Sequence, residues 1–252
     1  MAEMARFATT HWLRFPEVMT PDQLVLSGSP EGSVSWKIGP CGPVGPDGYR
    51  LPSNVWCAVG LFTERGAAAA AMERRDTFMP FLSGTTESWH QLLFPFRHHG
   101  ECNHLDRDCP GAIFEAISPD PGGPLMVLTT AGYQFGPDLK MERVIDFRHK
   151  VDLVNDWFRT LEGCVAAQPF TPHTKGDDGY TLSVWRDEAS MLDATYRSGV
   201  HRTQMDQHKI TSSFDRSSFT RCRILESWGQ WNGEDPIASE ARSPIRSAGL
   251  DS

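Results

Sequence analysis

The residues best suited to chemistry lie in the last third of the chain. His201 falls in the run Tyr196-Arg-Ser-Gly-Val-His-Arg-Thr-Gln-Met-Asp-Gln-His208. Ser198-Gly199 ends one helical stretch, and His201 stands near the start of the next. Gln204, Met205 and His208 follow it at i+3, i+4 and i+7, so they share its helical face. A neutral imidazole on such a face can ligate heme iron, and a sheet cleft can house the flat macrocycle. The same position also suits a surface or hydrogen-bonded core histidine, and spacing alone leaves both readings open.

A rival cluster is His98-His-Gly-Glu-Cys-Asn-His-Leu-Asp-Arg-Asp-Cys109, with three histidines and two cysteines. Zinc takes such ligands, but Cys-x-His-x4-Cys is not a usual zinc spacing and no second knuckle follows. A polar loop after a strand is the expectation, with no structural metal. Dinucleotide, P-loop, nucleophile-elbow and H-E-x-x-H signatures are absent. Gly39-Pro-Cys-Gly-Pro-Val-Gly-Pro-Asp-Gly48 precedes no helix and reads as a loop rather than a phosphate cradle. Trp36, Trp56, Trp89 and Trp185 fall on strand candidates, where core packing explains them and the lining of a planar cofactor is the sharper alternative.

The elements that must position these residues come in two related series. Phe7–Phe15 and Leu125–Phe135 are β-rich runs, each with Thr-Thr before an aromatic. Each precedes a segment of helical spacing, clearer in the second, where Val144, Phe147, Val151, Val154, Phe158 and Leu161 recur at threes and fours. Gly163 suits its C-terminal stop. Strand candidates Ser33–Ile38 and Cys164–Pro169 follow, then Asn54–Phe62 and Tyr180–Trp185. Thr63-Glu64 opens a helix over Gly66–Met72 and Asp187-Glu188 another over Ala189–Ala194. Ser88–Phe96 and Ser218–Leu225 close the halves, and the exits His99-Gly-Glu-Cys-Asn103 and Trp228-Gly-Gln-Trp-Asn-Gly233 rhyme.

The expected fold is α+β, two tandem ferredoxin-like β-α-β-β-α-β units whose apolar sheet faces bury against each other. The units are placed at 1–118 and 124–236, with Ser118–Pro124 as linker and 237–252 as a polar tail.

The whole chain sets outer limits. Its 252 residues suffice for two domains, and 32 acidic against 24 basic residues give a net charge of −8. That balance argues against nucleic-acid binding. No apolar run is long enough for a membrane helix. Glu3, Arg6, His11 and Arg14 interrupt the N-terminal run, so no secretory signal is read and a cytoplasmic location is expected. The six scattered cysteines are then free thiols.

Tyr180-Thr-Leu-Ser-Val-Trp-Arg-Asp-Glu-Ala-Ser-Met191, then Tyr196-Arg-Ser-Gly-Val-His201, Phe219–Leu225 and Gly229-Gln-Trp-Asn-Gly233 resemble the spheroidene monooxygenase family. The shared pattern is a strand ending in S-[IVL]-W, an acidic cap, an A-x-M helix, a G-x-H step and a G-x-W-x-G exit. Ser35–Ile38, Leu51–Trp56 and Glu87–Leu93 agree more loosely. The resemblance spans most of residues 7–236 and is strongest at Thr181–His201. Arg202, Thr203, Gln204 and Met205 depart from the small and apolar residues that follow G-x-H in the family.

The resemblance implies a heme-containing oxygenase related to dimeric α/β-barrel proteins, with His201 as proximal ligand of a heme b. Trp185 and Tyr196 would wall the pocket, Met205 would share the ligand's face, and Arg197, with Arg202 and Lys209, would meet the propionates. The implied activity is monooxygenation of a small organic or carotenoid-like substrate in secondary metabolism. It would draw on O2 or peroxide and an external reductase, since the chain carries no flavin or iron–sulfur signature. N-oxygenation of a small amine, amino acid or guanidine is one alternative. A non-catalytic heme-binding or cofactor-free α/β-barrel protein is another, and a homodimer is a further expectation.

Overall fold

Eight segments rich in β-branched, aromatic and alternating apolar residues become eight strands. The computed structural model describes residues 4–102, 114–115, 120–134, 136–172, 176–197, 199, 203 and 213–237. The strands are β1 (Phe7–Met19), β2 (Ser33–Pro40), β3 (Ser53–Phe62), β4 (Glu87–Gly100), β5 (Leu125–Gly132), β6 (Cys164–Phe170), β7 (Gly179–Trp185) and β8 (Arg216–Gly229). They form one sheet in the order β2-β3-β1-β4-β8-β5-β7-β6. Every pairing between them is antiparallel. The helices are α1 (Arg65–Glu73), α2 (Arg75–Phe78), α3 (Met141–Phe158) and α4 (Glu188–Leu192). The protein is thus α+β, with few helices on a curled, antiparallel sheet.

Strand parity sorts the sheet into two faces. On β1, Ala8 and Trp12 belong to an inner cluster, whereas Phe7, Leu13 and Phe15 belong to a cluster under α1 and α2. The inner cluster draws on both halves, joining Trp12 and Trp89 to Leu128, Phe170 and Leu182. A third cluster lies under α3 and α4, around Val154, Phe158, Trp185 and Met191.

The halves meet along β4 and β8, from Trp89 opposite Gly229 to Gly100 opposite Ser218. The rhyme between the two exits has a structural meaning here. Glu101 N–H donates to the Ser217 carbonyl and Gln230 N–H donates to the Ser88 carbonyl, both at 2.8 Å. Gly100 and Gly229 each have φ near +93°, and a Cβ on either would collide with that same carbonyl oxygen.

The sheet curls until its ends approach. The backbone of Gly39 in β2 lies against the Thr171 carbonyl just past β6. Lys37 on β2 pairs with Asp177, ahead of β7, at 2.9 Å, with both side chains buried.

The first half departs from the expected element series. No α-helix separates β1 from β2; a 3-10 turn, Pro21–Gln23, stands there instead. Pro21 and Pro30, with Gly28 and Gly32 at positive φ, keep that crossover from continuing as a helix. The second half does run β-α-β-β-α-β. Among the expected caps, Asp187 accepts from the Ser190 N–H at 2.7 Å, while Glu64 makes no side-chain cap bond.

Candidate functional site

A polar cluster enclosed by the fold lies in the first half, between the sheet and α2. His11 on β1 and His90 on β4 are directly opposite in the ladder. Both point to the helix-side face, by parity with Leu13 and Leu92. Their Nδ1 atoms are 2.8 Å apart, and His11 Nε2 is 3.2 Å from Thr9 Oγ1. Trp36 from β2 lies 5.0 Å from the His11 ring, centroid to centroid, and Phe78 from α2 stands edge-on to both. Gly60 on β3 makes room for this roof, because a Cβ there would collide with the Trp36 indole and crowd Thr9 Oγ1.

Burial decides the charge of the pair. The His11 pKa is driven well below its ordinary value, first by desolvation, then by His90 and by Arg75. Burial, helped by the Arg75 charge, pushes His90 down to about 3. Both rings are neutral at physiological pH. Each neutral ring has one N–H and one acceptor nitrogen, so the Nδ1–Nδ1 contact needs one ring to donate and the other to accept. With His90 donating, His11 carries its proton on Nε2 and donates to Thr9 Oγ1. With the direction reversed, Thr9 O–H donates to His11 Nε2. The two arrangements shift protons along the chain without creating charge. That suits hydrogen-bonding a polar substrate group more than holding a free proton.

The opposite face of the same strands is also polar. Thr10 Oγ1 donates to Gln91 Oε1, while Gln91 Nε2 and Trp12 Nε1 are buried without a partner among the described residues. The corresponding place between β5 and β8 holds Thr130 and Ser218, their hydroxyls 2.8 Å apart. On the helix-facing side the second half has Ala131 opposite Ser217 where the first has His11 opposite His90. The imidazole pair therefore belongs to one half alone.

The residues expected to hold heme are not brought together by the described part of the structure. His201 and Met205 lie outside the described residues, as do Arg202, His208, Lys209 and the side chain of Arg197. Trp185 is fully buried, packs edge-on against Phe158 at 5.1 Å, and donates its Nε1–H to Ser183 Oγ at 2.9 Å. Tyr196, in the π-type turn Asp193–Arg197, is exposed.

The histidine–cysteine run begins on β4 rather than in a loop, since that strand continues to Gly100. His98 Nδ1 lies 2.8 Å from Thr220 Oγ1, its ring stands against Phe114, and Cys102 packs in the inner cluster. Residues 103–109 of the run lie outside the described residues.

The pair His11–His90 was not singled out by spacing. The signal available was a histidine at a core-parity position in each of two apolar strands, and only the sheet register shows that the two face each other.

No protein-family model matches the chain, and no curated protein sequence does. Solved structures align with it at low identity. A Fusobacterium nucleatum protein proposed to be a monooxygenase is 12% identical, with 93% of this chain and 98% of that one covered and a TM-score of 0.40. A Lactobacillus acidophilus protein, also proposed to be a monooxygenase, is 9% identical over 90% of this chain and 100% of that one, with a TM-score of 0.31. A conserved protein of Methanosarcina mazei is 16% identical and covers 41% of this chain and 95% of its own, with a TM-score of 0.34.

Proposed function

We propose that this chain is an oxidoreductase of the monooxygenase type, acting on a small organic substrate, with a heme b held through His201. The observation that carries the reading is the run Thr181–His201 and its resemblance to the spheroidene monooxygenases. The local structure of that run supports it. β7 ends at Trp185, Asp187 caps α4, and the chain passes through the π-type turn to Gly199, two residues before His201. The tandem pairing of two ferredoxin-like units as an α/β-barrel belongs to the same proposal, and the shared strand order of the two halves supports it.

Heme, when bound, supplies oxygen activation, with electrons from an external donor. The described members of the ligand set do not enclose a porphyrin, because the Trp185 ring is sealed into the core beneath α3 and α4. Trp185 acts as core packing against Phe158 and Met191.

The test is the Soret absorbance per protein of wild type, His201→Ala and His208→Ala, each purified after growth with heme supply. Only His201→Ala should lose or shift the band, and added imidazole should partly restore it. The heme reading fails if wild type carries no porphyrin after reconstitution, or if His201→Ala keeps the wild-type spectrum.

A second reading, cofactor-free oxidation, is favoured by the neutral His11–His90 relay under its aromatic roof. The pair would hydrogen-bond an acidic substrate hydroxyl and hold it for oxidation by O2. O2 consumption by porphyrin-free protein with a phenol, lost in His90→Ala, would establish this reading in place of the first.

A further inference from the structure

A charged group lies buried in the second half without a charged partner. Arg148 sits on the inner face of α3, only 5% exposed. Its Nη1 donates to the Gly48 carbonyl, and its guanidinium lies over the Tyr49 ring at 5.3 Å from the centroid. Among the described residues it forms no ion pair. Asp47, the carboxylate that acts on it electrostatically, instead accepts from the Tyr49 backbone N–H at 3.0 Å. A guanidinium has five N–H donors, and burying it with one acceptor and no counter-charge is costly.

Two phenols lie near enough to act on the same guanidinium. Tyr133, just past β5, is 2% exposed, and among the described residues its hydroxyl has no hydrogen-bond partner. The Tyr49 hydroxyl is likewise enclosed and unpartnered among the described residues. Arg148 is the charge that acts most strongly on Tyr133, and both tyrosines act on Arg148.

We propose that Arg148, Tyr133 and Tyr49 form a binding site for the carboxylate of a small organic acid. The guanidinium fork matches a planar carboxylate, and the two phenols supply donors for its remaining lone pairs. The flanks favour an organic body over a bare oxyanion. Phe147 lies edge-on to Tyr133 at 6.3 Å and packs on Phe214 at 5.0 Å. A monoanion with an apolar body is cheaper to desolvate in such surroundings than a phosphate dianion. The site joins α3 and Tyr133 of the second half to the β2–β3 loop of the first, and stands independently of the heme reading.

The experiment is calorimetric titration of the full-length protein with sodium benzoate, and separately with inorganic phosphate, at ionic strength matched with sodium chloride. Wild type should bind benzoate saturably. Arg148→Met, which replaces the uncompensated charge with an apolar side chain of similar length, should weaken benzoate by about tenfold or more. Tyr133→Phe should weaken it less, roughly fivefold, and decides the matter if Arg148→Met does not fold. The proposal is overturned if wild type gives no saturable benzoate heat, or if both variants bind as wild type does. A response to phosphate and not to benzoate, lost with Arg148, overturns the assignment to an organic carboxylate.

Discussion

At the scale of single residues, the structure turns two histidines of separate strands into a coupled pair whose protonation is set by burial. The sign of its pH effect follows. His90 titrates near 6.5 when unfolded and near 3 when folded, so between those values the unfolded chain binds more protons. Its contribution to stability is complete above about pH 6.5 and is lost as the pH falls towards 3. Each such group removes roughly 1.4 kcal/mol per pH unit inside its window. His11 acts in the same direction. Denaturant midpoints measured from pH 7 to pH 4.5 should fall in wild type, and His90→Gln should flatten the slope, since it removes one of the histidines, with His11 and His98, whose pKa is lowered in the fold. An unchanged slope would mean that the imidazoles are solvated. The same scale explains Trp185, where an indole expected to face a cofactor satisfies its N–H on Ser183 two residues away on its own strand.

At the scale of elements, small residues and caps decide how closely layers approach. Gly60 lets the Trp36 indole lie against β3, so Gly60→Ala forces the roof over His11 to shift. A loss of about 1–3 kcal/mol is expected from overpacking, read by urea unfolding, with a change in tryptophan fluorescence as Trp36 moves. Asp187 holds the first turn of α4 through the Ser190 N–H. Asp187→Ala should cost about 1 kcal/mol, and Asp187→Asn much less, because the amide oxygen still accepts. If the heme reading holds, the uncapped variant also lowers heme retention, since α4 leads into the segment carrying His201.

At the scale of the whole molecule, the two halves are joined by backbone pairing along β4 and β8 and are closed across the far ends of the sheet by charge. The Lys37–Asp177 pair spans the halves and is buried on both sides. Replacing one member removes a buried charge-assisted contact across the closure. Lys37→Met should therefore destabilise by about 3 kcal/mol or more, seen as a lower denaturant midpoint at an unchanged m value. Arg223 adds a clamp at the join. Its guanidinium takes both Asp120 oxygens at 2.7 Å and the Gly123 carbonyl at 2.8 Å, fixing the end of the linker to β8.

What the sequence determined by itself is the local order of elements. All eight strands lie where alternation and β-branched residues put them, and the α1, α3 and α4 helices follow their periodicity, because these signals are written within a few residues. The likeness of the two exits was equally legible, since Gly100 and Gly229 answer to the same backbone conformation. The missing first helix shows the limit of a weak periodicity against prolines and glycines. Tertiary structure alone decided which polar residues meet. His11 and His90 are 79 positions apart and become neighbours only through the register of β1 on β4. Arg148 looks like a solvated residue on an amphipathic helix, yet the buried stripe of α3 holds Arg148 and Asn155 beside the expected Val144, Val154 and Phe158. Spacing records a residue's own element, whereas burial and charge coupling depend on the partner element packed against it, and no local pattern encodes that.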